Sequence, residues 1–218
     1  MTASVRLCVL SLSARSPEGD DAAYIEWHSL DHLPEQYGLR SLMHGQRWVS
    51  TPACRAARVA GDASLDATDH AVQYLFADAG SLDDFFSLGA QLREAGRMPL
   101  RLPPVELAAY AFKDATSRLV RPGVLPFRPN TGAYLVVSDA AVEIDNIADI
   151  DGIAGVWHFV GGRFHERLVD TTGRHLTVVY LDGDPAQVGA AIGSSLGEVR
   201  FGAPFVALTP FDWSRSLP

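Results

Sequence analysis

Alternating apolar and polar side chains predict four strands in the first half of the chain, with two helical patterns between them. The predicted strands are Arg6–Ala14, Leu42–Thr51, Ala71–Ala77 and Val105–Phe112. The third strand places Val72, Tyr74 and Phe76 on one face and smaller or polar side chains on the other. The resulting element order is β-α-β-β-α-β.

Two helices are predicted between these strands from their caps and apolar spacing. Asp20 and Asp21 cap the first helix, which continues to about Tyr37 with Gly38 as its C′ residue. Ser81 and Asp84 form a capping-box-like start for the second helix. Its apolar stripe suits one face of a sheet and consists of Leu82, Phe85, Phe86, Gly89 and Leu92, before Gly96 and Pro99 end the helix.

The second half repeats this element order in a shortened form. Its predicted strands are Ala133–Ser138, Ile153–Gly161, His175–Leu181 and Pro204–Phe211. Asp184 and Pro185 begin a helix that bears Val188, Ala191 and Ile192. About a dozen residues separate the first two of these strands, which is too few for a long helix.

Two β-α-β-β-α-β units predict an α+β fold made of two tandem ferredoxin-like sheets. Because each sheet leaves one apolar face bare, we expect the two sheets to pack together as an intramolecular dimeric α/β barrel. The first unit spans 1–112 and the second, which lacks its first long helix, spans 132–218. The segment 113–131 has three prolines and four basic residues against one acidic residue, which predicts a linker.

Composition excludes several classes of protein. The chain has 218 residues, 47% of them hydrophobic, which is typical of a globular protein. A formal charge of −8 argues against nucleic acid and anionic membranes as partners. No apolar run approaches the ~20 residues of a membrane span, and the N-terminal stretch resembles a strand more than a signal peptide, so we expect a cytoplasmic protein. Cys8 and Cys54 lack a CxxC pattern and are expected to be buried.

The segment 24–35 contains a cluster of side chains that are suited to catalysis. It holds two histidines, a Trp, a Tyr and three carboxylates within twelve residues. A helical projection places Ala22, Ile25, Leu30 and Leu33 on one side, and Tyr24, Trp27, His28, Asp31 and Glu35 on the other, with His32 at the margin. An imidazole beside a carboxylate suits general acid–base catalysis. The alternative is a surface helix whose histidines have ordinary hydrogen-bond partners.

The pattern W-x-x-x-x-H-x-P-E, formed by Trp27, His32, Pro34 and Glu35, resembles the dimeric α/β-barrel superfamily, with the EthD-like and stress-responsive families nearest. The pair Arg47–Trp48 on the second strand continues the resemblance, which covers residues 5–112 and is only topological for 132–218. The superfamily includes cofactor-free monooxygenases, cyclases, isomerases and haem enzymes, and also proteins without assigned activity. The fold therefore leaves the function open.

The resemblance implies a ligand pocket between the first helix and the sheet. It assigns Trp27, His28 and His32 on the helix, His44, Arg47 and Trp48 on the second strand, and His70 and Tyr74 on the third strand; Tyr24 joins them on the helix. Because the second half lacks the matching helix, we expect one functional pocket in the first half. His158, His165 and His175 are expected to have structural roles.

The sequence offers little for a metal or a cofactor. His28 and His32 have the i, i+4 spacing of metal ligands, but no HExxH pattern and no third ligand accompany them. No signature marks a haem axial ligand, and no Rossmann or P-loop pattern is present. We therefore expect no metal and no cofactor, with a haem enzyme as a lower-ranked alternative.

Two functional hypotheses follow. In the first, a cofactor-independent enzyme of monooxygenase, cyclase or isomerase type acts on a small apolar or aromatic substrate. His32 or His28 is then the general base, and Arg47 or Tyr74 stabilises the enolate or phenolate. Arg47 is alternatively an anion ligand or an ion-pair partner of Asp31 or Glu35. In the second hypothesis the protein is a non-catalytic ligand-binding or accessory protein. Either function allows a monomeric pseudo-dimer or a homodimer.

Overall fold

The structure, a computed structural model, describes residues 4–143, 147 and 149–208. Its strands are β1 (Leu7–Ser13), β2 (Leu42–Val49), β3 (Val59–Ala60), β4 (His70–Phe76), β5 (Pro104–Thr116), β6 (Gly132–Ser138), β7 (Ile153–Gly161), β8 (His175–Leu181) and β9 (Phe201–Ala207). The order β2-β4-β1-β5-β7-β8-β6-β9 closes where β9 pairs with β2, through Trp48–Ala207 and Val49–Val206. Among the described strands, eight thus form an antiparallel barrel, and β3 extends the sheet beside β9.

The two halves of the chain contribute equal parts of the barrel in the same order. In β2-β4-β1-β5 and in β7-β8-β6-β9, the strands run second, third, first and fourth along their half. The halves meet at β5–β7 and at β9–β2. The predicted α+β barrel is therefore confirmed at the level of the fold.

Helices cover the outside of the barrel. Helix α1 runs continuously as an α-helix (Asp21–Trp27), a π-helix (His28–His32) and an α-helix (Leu33–Gln36). The others are α2 (Pro52–Ala56), α3 (Ala63–Asp66), α4 (Leu82–Glu94) and α5 (Pro185–Ser195), with 3₁₀ turns at Ala79–Ser81 and Pro122–Phe127. Helices α1 and α4 pack on the first half, and α5 packs on the second. The described residues between β6 and β7 contain no helix.

The main core fills the interior of the barrel. Its large side chains come from both halves and include Trp48, Tyr110, Trp157, Phe159, Tyr180 and Phe205. On β4, Ala71 and Leu75 face this interior, whereas Val72 and Tyr74 face the outer helices. The predicted alternation of β4 is therefore confirmed, and its outer face is available to a site beneath α1 and α4.

Several predicted boundaries differ from the structure. Strand β5 continues to Thr116, into the segment that the sequence analysis assigned to a linker, because its last residues pair with β7. The last strand begins earlier than predicted, at Phe201, and the predicted residues 209–211 lie outside the described residues. The short elements α2, β3 and α3 were not predicted. None of the helices in the described part of the chain has the length and hydropathy to cross a membrane.

Two helix ends lie where they were predicted, with Tyr37 as the C-cap before Gly38 and Ser81 as the N-cap of α4, but neither has the expected cap geometry. Gly38 is absent from the glycines with positive φ, so it is not a left-handed C′ residue. Ser81 makes no side-chain cap for α4; instead Asp78 accepts a hydrogen bond from the backbone amide of Gly80 and caps the preceding 3₁₀ turn. Gly96 does have a positive φ, and α4 ends at Glu94 as the sequence indicates.

Candidate active site

Helix α1 presents a polar face, not an apolar one, to the sheet. His28, His32 and Gln36 are its buried residues, whereas Leu30 is 51% exposed. On the side of the helix that carries Ala22, Ile25, Leu30 and Leu33, Leu30 is therefore turned to solvent, whereas Leu33 packs on the sheet. The cause lies in the π turn at His28–His32, which adds a residue to the turn and redirects the faces of the helix. Such turns occur most often at functional sites.

Three buried side chains form a hydrogen-bonded relay from β2 through α1 to β4. Arg47 Nε donates to His28 Nδ1 at 3.3 Å, and His28 Nε2 lies 3.0 Å from the Tyr74 hydroxyl. Because an arginine Nε only donates, Nδ1 must accept, and the neutral ring therefore carries its proton on Nε2. His28 thus donates to the Tyr74 oxygen, which leaves the Tyr74 hydroxyl hydrogen available for another acceptor.

Burial fixes the protonation states of this relay. Burial, together with the positive charge of Arg47, lowers the pKa of His28 well below its ordinary value, so the ring is neutral near neutral pH. Burial also raises the pKa of Tyr74, which keeps the phenol protonated. Since both nitrogens of His28 are engaged, His28 is poorly placed to accept a proton. In this arrangement neither nitrogen of His28 is free for a ligand, and the ring donates to the Tyr74 oxygen.

His32 is arranged differently from His28. Its Nε2 lies 2.9 Å from the amide nitrogen of Gln36, and its ring stacks on Trp27 with centroids 5.0 Å apart. Its Nδ1 lies 3.9 Å from a carboxylate oxygen of Glu35. Burial lowers the pKa of His32, while Glu35 and Asp31 oppose that shift. The ring is therefore neutral near neutral pH, and the two carboxylates favour its protonated form once a proton is bound.

Arg47 is a buried cation, only 4% exposed. Its Nη2 donates to the Tyr24 hydroxyl at 3.3 Å, and its guanidinium lies 4.8 Å from the centre of the Tyr24 ring. Asp31 and Glu35 are ion-paired with Arg97, and no described residue forms an ion pair with Arg47. The pairing of Arg47 with Asp31 or Glu35 is therefore not seen. Arg47 stands behind His28 and holds it in place.

The structure does not bring every candidate residue to this cluster. His70 lies at the start of β4 and contacts Asp21 at 2.7 Å, which ties α1 to the sheet. Trp48 faces the barrel interior beside Tyr180. His44 packs against Phe127, 5.3 Å away between ring centres. Neighbouring strand residues point to opposite faces, so Trp48 cannot share the outer face with Arg47.

A cavity of about 620 Å³ lies between α1, α4 and the outer face of the sheet. Tyr24, Trp27, His28, His32 and Tyr74 line it, as the resemblance implies. Sequence reasoning missed the rest of its wall, which comes from α4, β1, the start of β5 with the segment before it, and one residue of the second half. These residues include Ser11, Phe85, Phe86, Gly89, Arg93, Met98, Arg101, Glu106, Leu107 and Arg167. The apolar stripe of α4 was the available signal.

The cavity does not fit a metal or haem. The described residues contain no group of three or more His, Cys, Asp or Glu that could hold a metal ion. A haem iron needs an imidazole nitrogen that is free to bind it. His28 has both nitrogens engaged, and His32 has Nε2 at Gln36 and one ring face covered by Trp27.

The remaining histidines and cysteines lie away from the relay. His158 Nδ1 is 3.0 Å from the Thr177 hydroxyl in the second half, and His165 lies near Asp83 with its ring over Phe86. Cys8 and Cys54 are free and buried, as expected. Burial raises the pKa of the Cys8 thiol to about 12, which makes it a poor nucleophile.

Comparison with known proteins shows which solved structures share the fold of this chain. No protein-family model and no curated protein matches the chain. An anthrone oxidase-like structure aligns with a TM-score of 0.55 at 9% identity, over 96% of this chain and 94% of that one. A monooxygenase-like protein from Fusobacterium nucleatum gives 0.54 at 10% identity, over 96% and 94%. A chlorite dismutase from Candidatus Nitrospira defluvii gives 0.51 at 10% identity, over 96% and 93%. The chain shares the α+β barrel fold of these proteins.

Proposed function

We propose that this protein is a cofactor-independent enzyme that oxidises a small aromatic substrate whose acidic methylene is conjugated with a carbonyl through the ring system. The observation that carries the proposal is the Arg47–His28–Tyr74 relay, which turns a protonated phenol toward an aromatic-lined cavity that also contains His32. Buried polar groups cost stability unless they are well paired, so a relay of this kind beneath a helix is typical of a functional site.

His32 is the general base of the proposed reaction. The lone pair of neutral His32 is on Nε2, which accepts from the Gln36 amide at rest. A substrate that displaces this amide brings its methylene to Nε2, which removes a proton from it, and Glu35 and Asp31 stabilise the imidazolium that forms. Tyr74 donates a hydrogen bond to the carbonyl oxygen, which becomes an enolate or phenolate oxygen as the proton leaves. Arg47 is a positioning residue, because it acts through His28 and not on the substrate.

Dioxygen is the oxidant in this scheme. The substrate carbanion transfers electrons to dioxygen and forms a bond to one of its oxygen atoms. Two C–H bonds of the methylene break and a carbonyl forms, while the second oxygen atom leaves as water with both hydrogens. The reaction consumes one dioxygen per carbonyl formed. The anthrone oxidase-like and monooxygenase-like neighbours have the same fold and support this reaction class by analogy.

The proposal includes the internal organisation of the chain. The identical strand orders β2-β4-β1-β5 and β7-β8-β6-β9 support two fused ferredoxin-like units, 1–112 and 132–218. The EthD-like assignment rests on Trp27, His32, Pro34 and Glu35. The barrel that single-unit relatives would form by dimerising is then complete within one chain, so we propose a monomer with one active cavity.

The test is dioxygen uptake with anthrone as the substrate, compared between wild type, Tyr74→Phe and Tyr134→Phe. Tyr134 is the matched control, since it is also a buried tyrosine but packs beneath α5 in the second half. We expect uptake with one quinone formed per dioxygen, a loss of kcat of about a hundredfold in Tyr74→Phe, and little change in Tyr134→Phe. Binding of anthrone without any uptake would overturn the enzyme and favour a ligand-binding protein.

A further inference from the structure

The cavity carries a positive charge that the proposed reaction does not use. Three arginines line it: Arg93 at the end of α4, Arg101 before β5, and Arg167 from the loop between β7 and β8. The chain as a whole has a formal charge of −8. A positive cavity in an acidic protein creates a local potential that attracts anions.

These arginines differ from most others in having no acidic partner. Arg97, Arg174 and Arg200, for example, are each ion-paired. Within the described part of the chain, none of the three cavity arginines forms an ion pair. Glu106 is the carboxylate among the described residues that line the cavity, and Arg174 already holds it at 2.9 Å. The three arginines are thus exposed at the wall of the cavity, and no described carboxylate pairs with them.

Arg167 is also held in place against an aromatic ring. Its guanidinium lies 5.6 Å from the centre of the Phe86 ring, and Phe86 lines the same cavity. Stacking of this kind leaves the edge of a guanidinium free to donate to a carboxylate. The second half of the chain thus supplies a ligand-facing group to a cavity that is otherwise built by the first half.

The spacing along α4 separates Arg93 from the reacting end. The Tyr74 ring contacts Phe85, with centroids 5.3 Å apart, and Arg93 follows Phe85 by eight residues. At 1.5 Å per residue, the two positions lie about 12 Å apart along the helix. This distance suits a flat molecule of two or three fused rings with an acidic substituent at the far end.

We propose that the substrate carries an anionic group, a carboxylate on its aromatic ring system, which Arg93 binds at the far end of the cavity while Tyr74 meets the carbonyl, and that Arg101 and Arg167 add to the positive potential that attracts it. This inference rests on the proposed function for the identity of the reacting end. Its new content is the recognition of charge by three residues that take no part in the proton transfer. Charge-assisted hydrogen bonds are about twice as strong as neutral ones, so the acid group would set the specificity.

The test compares two probes that differ only in charge, anthracene carboxylate and anthracene carboxamide, by calorimetric or fluorescence titration. We expect the carboxylate to bind wild type at least about tenfold more tightly than the carboxamide. The triple variant Arg93→Gln, Arg101→Gln, Arg167→Gln should lose this preference while it keeps its affinity for the carboxamide. The matched control removes three exposed arginines outside the cavity, Arg6→Gln, Arg40→Gln and Arg121→Gln, and should keep the preference.

Each other outcome counts against the inference. Equal affinity for the two probes in wild type, or no binding of either, would overturn it. A loss of preference in the control variant would show that overall charge is responsible and would overturn it as well. Because these titrations need no turnover, a carboxylate preference without dioxygen uptake would refute the proposed reaction and leave the anion site standing.

Discussion

The outer faces of the two halves have the same strand order but different chemistry. Strands β4 and β8 each begin with a histidine and are the third strand of their half. Counted from that histidine, the position of Tyr74 on β4 is taken by Val179 on β8. The first half therefore places a phenol, and the second half an isopropyl group, at equivalent points of one barrel.

The neighbouring strands extend this contrast. Arg47 pairs with Val72 on β4, and His158 pairs with Thr177 at the matching place in the second half. Around Val179 the outer cluster is almost wholly aliphatic and is closed by α5. The barrel is thus stable with either kind of face. What makes the first face a candidate active site is a helix that turns histidines inward.

The largest expected effect separates the two histidine environments. Replacing the proposed base, His32→Ala, should lower kcat by about a hundredfold to ten-thousandfold with anthrone. The matched change His158→Ala removes a similarly buried imidazole, whose Nδ1 is near Thr177. It should cost about 1–3 kcal/mol of stability because Thr177 loses its partner, with little effect on kcat. Steady-state dioxygen uptake and thermal unfolding measure the two effects, and equal losses of kcat would contradict the assignment.

A smaller effect is expected from the positioning residue. Arg47→Met removes the donor that fixes the tautomer of His28, so the ring is free to turn a lone pair toward Tyr74. We expect kcat to fall about tenfold, the change that about 1.4 kcal/mol produces, with KM nearly unchanged. The pKa of His28, followed by NMR, should rise because the positive charge of Arg47 lowers it. Arg47→Lys keeps the charge and should retain most of the lowered pKa. An unchanged His28 titration in Arg47→Met would refute this role.

Acid should destabilise the first half more than the second. Burial lowers the pKa of four described first-half histidines and of one in the second half: His28, His32, His44, His70 and His158. As the pH falls through 6.5, the ordinary pKa of histidine, the unfolded chain therefore binds protons before the folded chain does. Stability is complete above that pH and declines below it.

The measurement is the melting temperature as a function of pH. Between about pH 7.5 and pH 5 we expect a fall of several degrees, because one pKa unit is worth about 1.4 kcal/mol and 1 kcal/mol moves Tm by about 2–4 °C in a chain of this size. His28→Gln should reduce this pH dependence more than His158→Gln does. A melting temperature that stays level or rises toward pH 5 would contradict the buried neutral imidazoles.

The sequence predicted the strands and the apolar stripe of α4 well and the faces of α1 less well, for a physical reason. Alternation along β4 and β8 depends only on the period of a strand, which the barrel preserves. The projection of α1 assumed 100° per residue, and the π turn at His28–His32 breaks that period. No residue type marks a π turn in advance, so the resemblance, and not the helical projection, was what placed Trp27, His28 and His32 toward the sheet.

The residues of the candidate site likewise fall into those that the sequence predicted and those that it did not. Tyr24, Trp27, His28, His32, Arg47 and Tyr74 come together as the resemblance implies, because local elements position them. Trp48 faces the barrel interior. The alternation of side chains along β2 already predicts this, because Trp48 follows Arg47 and must point to the opposite face. Arg167 could not be predicted for the cavity, since a loop between β7 and β8 carries it across from the other half.

The smallest expected effect compares the outer face of the first half, which is open, with the outer face of the second half, which is closed. The same glycine-to-alanine substitution is made in the helix that covers each face. Gly89 lies in α4 and lines the cavity, and a Cβ added there would meet nothing within 4 Å. Gly189 lies in α5, where an added Cβ would sit 2.5 Å from Cβ of Pro204, part of a rigid ring on β9. Gly89→Ala should therefore stabilise the protein by about 0.5–1 kcal/mol, the difference in helix propensity. Gly189→Ala should destabilise it by about 1–3 kcal/mol through overpacking.

Chemical denaturation of the two variants measures these opposite signs. If both glycine substitutions stabilise the chain, the second face has room that its packing does not show, and the contrast between an open and a closed face is lost. If both destabilise it, α4 is packed more tightly than the cavity requires. If the same substitution stabilises one helix and destabilises the other, the two halves differ in the space that each helix leaves above its face of the sheet. The free space beside Gly89 is then a property of the site, since α5 closes the equivalent face at Gly189.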